Sequence, residues 1–308
     1  MAIVVFGSIN MDLVVRTPHL PTAGETLTGH TFFTAPGGKG ANQAVACSRL
    51  GALTCMIGRV GDDAFGGMLR ESLCVYGVNV SGVTTHAGQP SGVAMIAVDD
   101  AENQIIVVPG ANGTLGPADL AHLDVALTNS NGSSDPVRVL LLQLEVPLEA
   151  VLAAARLAHR HGVTVILDPA PARLLPPELY ALTDILTPNE TEAATLVGFP
   201  VDDEDTVAHA AKVLLERGAR SVIVKMGSNG VYWTDGTAGE FYPAFSVEAV
   251  DTVGAGDAFN GGLAVALNEG RVIGEALRWG LAAGALSVTR VGAQPSMPDR
   301  DSVIQMLA

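Results

Sequence analysis

The sequence predicts an α/β fold: a doubly wound, mostly parallel sheet flanked by helices on both faces. Three observations predict it. Short β-branched runs alternate with longer Ala/Leu-rich stretches of helical period, the pattern of right-handed βαβ crossovers. The short runs read as unbroken Val, Ile and Leu, as strands covered on both faces do. Finally, 48% of residues are hydrophobic but only 5% aromatic, so Ala, Val, Leu and Gly carry the apolar content and suit helices packed closely on a sheet.

The elements follow in order. Residues 3–7 read as a buried strand, 41–50 as a helix, 53–57 as a strand and 63–76 as a helix with apolar steps of three and four. Residues 137–142 form a strand, 148–161 a helix, 163–167 a strand and 184–186 a short one. A helix over 203–217 leads to a strand at 221–225, with which 230–234 pairs antiparallel. Residues 245–250 read as a strand feeding a glycine-rich turn, a helix starts near Gly256, and two Ala/Gly-rich helices close the chain.

Two segments break this rhythm. Residues 13–33 and 91–108 are β-rich, with turns at Pro18, Pro21, Gly24 and residues 99–103, and no helix between. They predict one small β-layer standing off the main sheet, serving as an active-site lid, as dimer contacts, or as both. Residues 129–135, rich in Asn and Ser, read as an exposed loop.

At 308 residues the chain can bury a sizeable core and is read as a single domain over 1–308. The formal net charge of −15 argues against a nucleic-acid partner, which would need a basic patch to displace phosphate counterions. An acidic, solubilising surface accounts for it, and a local nest of backbone N–H groups can still hold a small anion. Cys47, Cys55 and Cys74 lack paired spacing and point to reduced thiols rather than a disulfide framework or zinc site. The seven histidines show no metal-ligand spacing; His159 and His161 complement a helix end. Residues 1–7 are too short for a secretory core, and no stretch reaches the roughly 18 apolar residues of a membrane span. The expected location is the cytoplasm.

The chemistry concentrates in residues 251–262, around Gly254-Ala255-Gly256-Asp257. Glycines at a helix start let successive N–H groups face one concavity at the positive end of the helix dipole, an anion hole suited to a phosphoryl group. Asp257 in the first turn is equally good as a helix cap or a catalytic base. Two superficial motifs fail. Gly254-x-Gly256 lacks the third glycine of a dinucleotide fingerprint, where Phe259 stands. Gly37-Gly38-Lys39-Gly40 lacks the Ser or Thr and the spacing of a P-loop.

Five segments occur together: Gly7-Ser8-Ile9-Asn10-Met11-Asp12, Gly37-Gly38-Lys39-Gly40-Ala41-Asn42-Gln43-Ala44, Thr187-Pro188-Asn189-Glu190-Thr191-Glu192, residues 251–262 and Gly292-Ala293-Gln294-Pro295-Ser296. From the first strand to nearly the last helix they resemble the ribokinase (PfkB-type) family of carbohydrate kinases. The resemblance implies a ribokinase-like sheet with a small β-sheet lid, and ATP-dependent phosphorylation of D-ribose at its 5-hydroxyl. Sibling activities are those of deoxyribokinases, fructokinases and nucleoside kinases; a rival of another class is a non-catalytic sugar or nucleotide sensor.

The same resemblance implies roles residue by residue. Asn10, Asp12, Gly38, Lys39, Gly40, Ala41, Asn42 and Glu145 hold the sugar, with Asp257 as base and the Gly254, Ala255 and Gly256 segment as anion hole. Asn189, Lys225, Met226, Gly227, Ser228, Asn229 and Gly230, with Gly256, Asp257 and Leu281, meet ATP. Leu281 stands where some relatives place a polar residue near adenine, leaving apolar contact there. Asn189 and Glu192 position Mg2+ through its water shell, although the same pair also reads as a capping box. Asp251, Val253, Ser287, Arg290, Gly292 and Ser296 form an oxygen cage for K+. A homodimer through the lid is implied as well.

Overall fold

The fold was analysed in a computed structural model that describes residues 2–99, 103–129 and 136–308. The N-terminal run forms β1 (Ala2–Phe6), whose side chains from Ile3 to Phe6 are wholly buried. Ile3 and Val5 join the core on one face of the sheet, and Val4 and Phe6 the core on the other. This strand therefore lies mid-sheet, as its unbroken apolar run requires.

The chain continues through β2 (Asn10–Arg16), β3 (Thr31–Gly37), α1 (Lys39–Arg49), β4 (Leu53–Gly61), α2 (Ala64–Val75) and β5 (Asn79–His86). After β6 (Gly92–Val98) and β7 (Asn103–Val108) come α3 (Pro117–Asn129), β8 (Val137–Leu142), α4 (Leu148–Arg160) and β9 (Thr164–Leu167). Then follow α5 (Pro177–Ala181), β10 (Ile185–Leu186), α6 (Glu190–Val197), α7 (Glu204–Glu216), β11 (Val222–Lys225), β12 (Val231–Thr234) and β13 (Gly239–Tyr242). Three helices close the chain: α8 (Ala255–Asn268), α9 (Ile273–Ser287) and α10 (Arg300–Leu307).

Among the described residues the main sheet has nine strands in the order β13-β12-β11-β10-β9-β8-β1-β4-β5. All neighbours are parallel except β11–β12 and β12–β13. Strand order reverses between β1 and β8, and open α/β sheets bind ligands in the crevice beyond the carboxyl ends at such a point. The two β-rich insertions meet as a four-stranded sheet, β3-β2-β6-β7, with β2 and β6 parallel and the outer pairs antiparallel.

Several expectations need correction. Residues 245–250 form no strand: Phe245, Ser246, Val247 and Ala249 line a cleft instead of pairing in a sheet, and a cleft wall takes the same residue types as a strand. The closing helices number three, because α10, capped by the Asp299 carboxylate on the Ser302 N–H, is too short for its period to stand out. The lid strands extend beyond 13–33, so that Asn10, Asp12 and Gly37 lie within them. The turn at 99–103 and the loop at 129–135 fall largely on residues 100–102 and 130–135, outside those described. Among the described residues no helix is long and apolar enough to cross a membrane.

Helix α8 sits close against α1 and α9 because small residues face them. A Cβ on Gly261 would fall 2.4 Å from Ala46 Cβ, and one on Gly262 2.7 Å from the Trp279 carbonyl. This close fit brings the start of α8 over the carboxyl ends of the strands.

Candidate active site

The functional side chains gather where the parallel strands end. Ser8 follows β1, Gln143 and Glu145 follow β8, Asp168 follows β9, Asn189 follows β10, and Lys225 ends β11. The starts of α1 and α8 face them, bringing helix-dipole positive ends to a site crowded with carboxylates.

Glu145 organises the first half. Its Oε2 accepts from Ser8 Oγ at 2.6 Å, from the Lys39 backbone N–H at 3.1 Å and from Asn10 Nδ2 at 3.4 Å. It thus meets the exposed N–H groups of α1 from another strand end and is not the cap of its own helix, whose N-cap is Pro147. Gly38, the N-cap of α1, has φ +89°, and a Cβ there would fall 2.7 Å from the Asn10 backbone nitrogen. Only glycine allows that approach. Asn10 is oriented by Asn112, whose Nδ2 donates to Asn10 Oδ1 at 2.7 Å while its Oδ1 accepts the Ile9 N–H at 2.9 Å.

Asp12, on the lid strand β2, is pushed up to about 7, first by burial and then by the nearby Glu145 and Asp257 charges. Lys39 lies among these acids. Burial opposes its charge, but Asp257, Asp168, Glu145 and Glu192 together outweigh burial and hold its pKa above the ordinary lysine value.

Asp257 sits in the first turn of α8, after Gly254 in the left-handed conformation at φ +80°. Its carboxylate is not a cap: Oδ2 accepts from Asn42 Nδ2 and Oδ1 from Gln43 Nε2, each at 3.0 Å. Burial raises its pKa to about 6, with Lys39 opposing, Asp168 adding, and the bonds from Asn42 and Gln43 lowering it. Such a group is ionised at neutral pH yet basic enough to take a proton. The Asn42 Oδ1 is buried with no protein partner and is suited to accept a hydroxyl. Of the nominated anion-hole N–H groups, that of Ala255 makes a 3.3 Å turn bond to the Thr252 carbonyl, while Gly256 and Asp257 occupy positions whose N–H groups have no partner within a helix.

Gln43, Gln143 and Asp168 are missing from the expected site. Gln43 Nε2 also donates to Asp168 Oδ2 at 3.0 Å, Gln143 Nε2 donates to Gln43 Oε1 at 2.6 Å, and Lys225 Nζ donates to Asp168 Oδ1 at 2.8 Å. Gln43 lies within the Gly37–Ala44 segment, and Asp168 directly follows the strand predicted over 163–167. The rule that ligand groups collect at strand carboxyl ends is the signal that points to both.

Asn189 and Glu192 do form a capping box, with Asn189 Oδ1 accepting the Glu192 N–H at 2.7 Å and Glu192 Oε2 accepting the Asn189 N–H at 2.8 Å. Burial raises the Glu192 pKa, with Lys225 opposing and Asp168 adding. Its second oxygen remains for a water-mediated contact, which fits an outer-shell magnesium role. Asp251 joins two loops, Oδ1 accepting from the Val253 N–H at 3.0 Å and Oδ2 from the Gly292 N–H at 2.8 Å. The donor set is all oxygen, as a hard monovalent cation needs. The hydroxyls of Ser287 and Ser296, however, turn back to the carbonyls of Gly284 and Ala293, so these residues would contribute carbonyls more readily than hydroxyls.

A cleft of about 420 Å³ opens beside the α8 start, lined by Lys225, Gly227, Ser228, Gly230 and, deeper, Phe259 and Leu281. Leu281 is buried there and makes this part of the wall apolar. Met226 and Asn229 do not join it: they face a separate depression with Glu190, Asp202, Asp203 and Glu204. Met226 packs into the core, and Asn229 lies on the far side of the turn from the cleft.

Residues 2–300 match the pfkB family carbohydrate kinases. A ribokinase of Bacillus subtilis is 42% identical over 306 residues, covering 99% of each chain. A deoxyribokinase of Salmonella typhimurium is 38% identical over 310 residues, covering 100% of this chain and 99% of the other. The structure of Arabidopsis thaliana ribokinase complexed with ribose and ATP superposes with a TM-score of 0.89 at 36% identity, over 99% of this chain and 98% of that one. A family match over nearly the whole chain and relatives of about 40% identity over their full length place this chain in the pfkB family of carbohydrate kinases.

Proposed function

We propose that this chain transfers the γ-phosphoryl group of ATP to the 5-hydroxyl of D-ribose, giving D-ribose 5-phosphate and ADP. The observation that carries the reading is the Asp257 carboxylate, buried at the α8 N-terminus and held by Asn42 and Gln43 beside Asp12 and Lys39. An acid used only as a cap would bond its own helix; this one faces the sugar pocket.

Asn10, Asp12, Asn42 and Glu145 present the acceptors and amide donors that a polyhydroxylated ring needs, and the Gly38–Ala41 turn brings backbone close to it. Asp257 takes the proton of the primary hydroxyl as its oxygen attacks phosphorus. General-base help of this type is worth about 10²–10⁴-fold. The N–H groups at the α8 start face the transferring phosphoryl and stabilise its charge. The apolar cleft with Leu281 takes the adenine, and Lys225, Gly227, Ser228 and Gly230 border the phosphates.

Magnesium, held through water by Asn189 and Glu192, would neutralise phosphate charge. Potassium, held by Asp251 and the carbonyls of the Val253 and Arg290–Gly292 loops with Ser287 and Ser296, would order the anion-hole loop. Turnover unchanged when tetramethylammonium replaces potassium would oppose the latter. The chain acts in the cytoplasm as one domain, and as a homodimer through its lid.

The test is ADP release across D-ribose, 2-deoxyribose, fructose and nucleosides. Ribose is expected to give the highest kcat/KM; faster specific turnover of another acceptor would replace ribose, and no turnover with any would favour a sensor.

A further inference from the structure

Helix α2 carries none of the residues assigned to sugar, nucleotide or cation, yet each of its ends is tied to one half of the site. At its start the N-cap Asp63 reaches beyond its own helix. Besides the Gly66 N–H at 2.9 Å, its carboxylate accepts the Ser91 backbone N–H at 2.8 Å and the Ser91 hydroxyl at 2.7 Å. Ser91, 1% exposed, immediately precedes lid strand β6, whose first residue, Gly92, pairs with Asn10 of β2. This seat leaves no slack: a Cβ on Gly61 would fall 2.3 Å from the Ser91 nitrogen, and one on Gly66 2.1 Å from the Gly61 carbonyl oxygen. Helix α2 also packs against β2 and β3 of the lid. In its last turn, roughly 13 Å further along the axis at about 1.5 Å per residue, Ser72 Oγ donates to Gln294 Oε1 at 3.0 Å. Gln294 is 1% exposed and opens the tight turn Gln294–Ser296. Ala293 and Met297, on either side of this turn, lie against the start of α8: a Cβ on its N-cap, Gly254, would fall 3.2 Å from Ala293 Cα and 3.3 Å from Met297 Cε. A buried side-chain carbonyl is costly unless bonded, and here α2 supplies the donor.

We infer, on the kinase reading above, that Ser72 and Gln294 are positioning residues that set the start of α8 according to the seating of the lid. A sugar held by Asn10 and Asp12 fixes β2 and, through the pairing of β2 with β6, fixes Ser91. Asp63 passes that setting to α2, which moves as one rigid element. The Ser72–Gln294 bond passes it to the turn behind Gly254. Neither residue touches substrate. Occupancy of the sugar site thereby helps to order the N–H groups that meet the phosphoryl group, and by reciprocity a bound nucleotide favours the seated lid. Helix α1 gives a second, shorter link, since Asn42 donates to Asp257 directly. Loss of the α2 route therefore weakens the communication between the two ligands without abolishing it.

The competing account is a bond that only staples α2 to the C-terminal part of the chain; it predicts a lower Tm with the communication between ligands intact. Wild type, Ser72→Ala, Ser72→Thr, Gln294→Met and the double variant Ser72→Ala/Gln294→Met are compared for Tm, for steady-state turnover, and by calorimetric titration. The titrant is adenylyl imidodiphosphate, a non-hydrolysable ATP analogue, with and without saturating D-ribose. Wild type should bind the analogue at least about tenfold tighter when ribose is present. Ser72→Ala and Gln294→Met should each cut that ratio on the order of fivefold, the worth of one hydrogen bond. Affinity for ribose alone should be kept, and kcat should fall more than KM for ribose rises. Ser72→Thr retains the hydroxyl and should retain the ratio. The double variant should lose no more than either single variant, because both remove the same link. An undiminished ratio in the single variants would overturn the inference even with a lowered Tm, as would wild-type binding of the two ligands with no mutual effect. Absence of turnover with ribose would fail the kinase reading by itself, whereas the effect of ribose on analogue binding would still decide the role of Ser72 and Gln294.

Discussion

Gln43 Nε2 lies 3.0 Å from Asp257 Oδ1, so the candidate base is held by an amide on α1, 214 positions away in sequence, and not by a cap on its own helix. The amide cannot flip freely, because Gln143 donates to its oxygen at 2.6 Å. A donor to the ionised form lowers a carboxyl pKa; without it, the Asp257 pKa would stand above its present value of about 6. Turnover needs the ionised base, so kcat should fall as pH drops through about 6 in the wild type. Gln43→Leu should move this acid limb to higher pH, by roughly one unit at most for one lost bond. An unshifted limb with reduced kcat at all pH values would show that Gln43 serves packing alone.

Replacing the base itself separates binding from chemistry. Asp257→Asn keeps the shape and the contact with Asn42 or Gln43 on one oxygen, but cannot accept the hydroxyl proton. Ribose affinity by calorimetry should stay within a few-fold of wild type, while turnover drops by at least about 10²-fold. Near-normal turnover would refute the base assignment and leave Asp257 as a sugar ligand.

The main sheet was legible because strands buried on both faces leave apolar runs that survive without context, as β1 and β8 do. The start of α8 was legible because Gly254 takes a left-handed conformation that favours glycine. What stayed hidden depends on contacts far apart in sequence. Asp168 and Lys225 pair across 57 positions and Gln43 and Asp257 across 214, and neither separation leaves a periodic trace. The 245–250 segment misled for a related reason: its apolar residues line a cleft, and residue type alone does not separate a cleft wall from a strand.

Asp12 exemplifies a cost of function. Its pKa is pushed up to about 7 by burial and by Glu145 and Asp257, against an ordinary value of 3.8. A raised carboxyl favours the folded state below the unfolded pKa, where it is protonated in both states, and that stability is lost as pH rises through the folded pKa. The window therefore runs from about pH 4 to about pH 7. Asp12→Asn should raise stability at pH 8, on the order of 1–3 kcal/mol, with the difference vanishing near pH 4. The same change should weaken ribose about 10-fold or more by removing a charged acceptor. Equal stability of the two proteins at pH 8, by denaturant titration, would mean the carboxylate is compensated by Lys39.

Among the described residues the lid sheet ends in two unpaired edges, β3 and β7, and carries exposed apolar side chains on both: Phe32 is 64% exposed, Ile106 64% and Ile105 53%. An uncovered apolar edge strand is an association surface, and a second copy related by a two-fold axis would cover both edges at once. The wild type is therefore expected at twice the monomer mass by light scattering. Ile106→Asp should yield the monomer mass, because a charge facing its symmetry mate would be buried against an apolar layer. Asp12 lies on β2 of the same sheet, so loosening the lid should raise KM for ribose more than it lowers kcat. A wild-type protein that stays monomeric at assay concentration would sink the dimer and leave the lid as a cover that each chain closes alone.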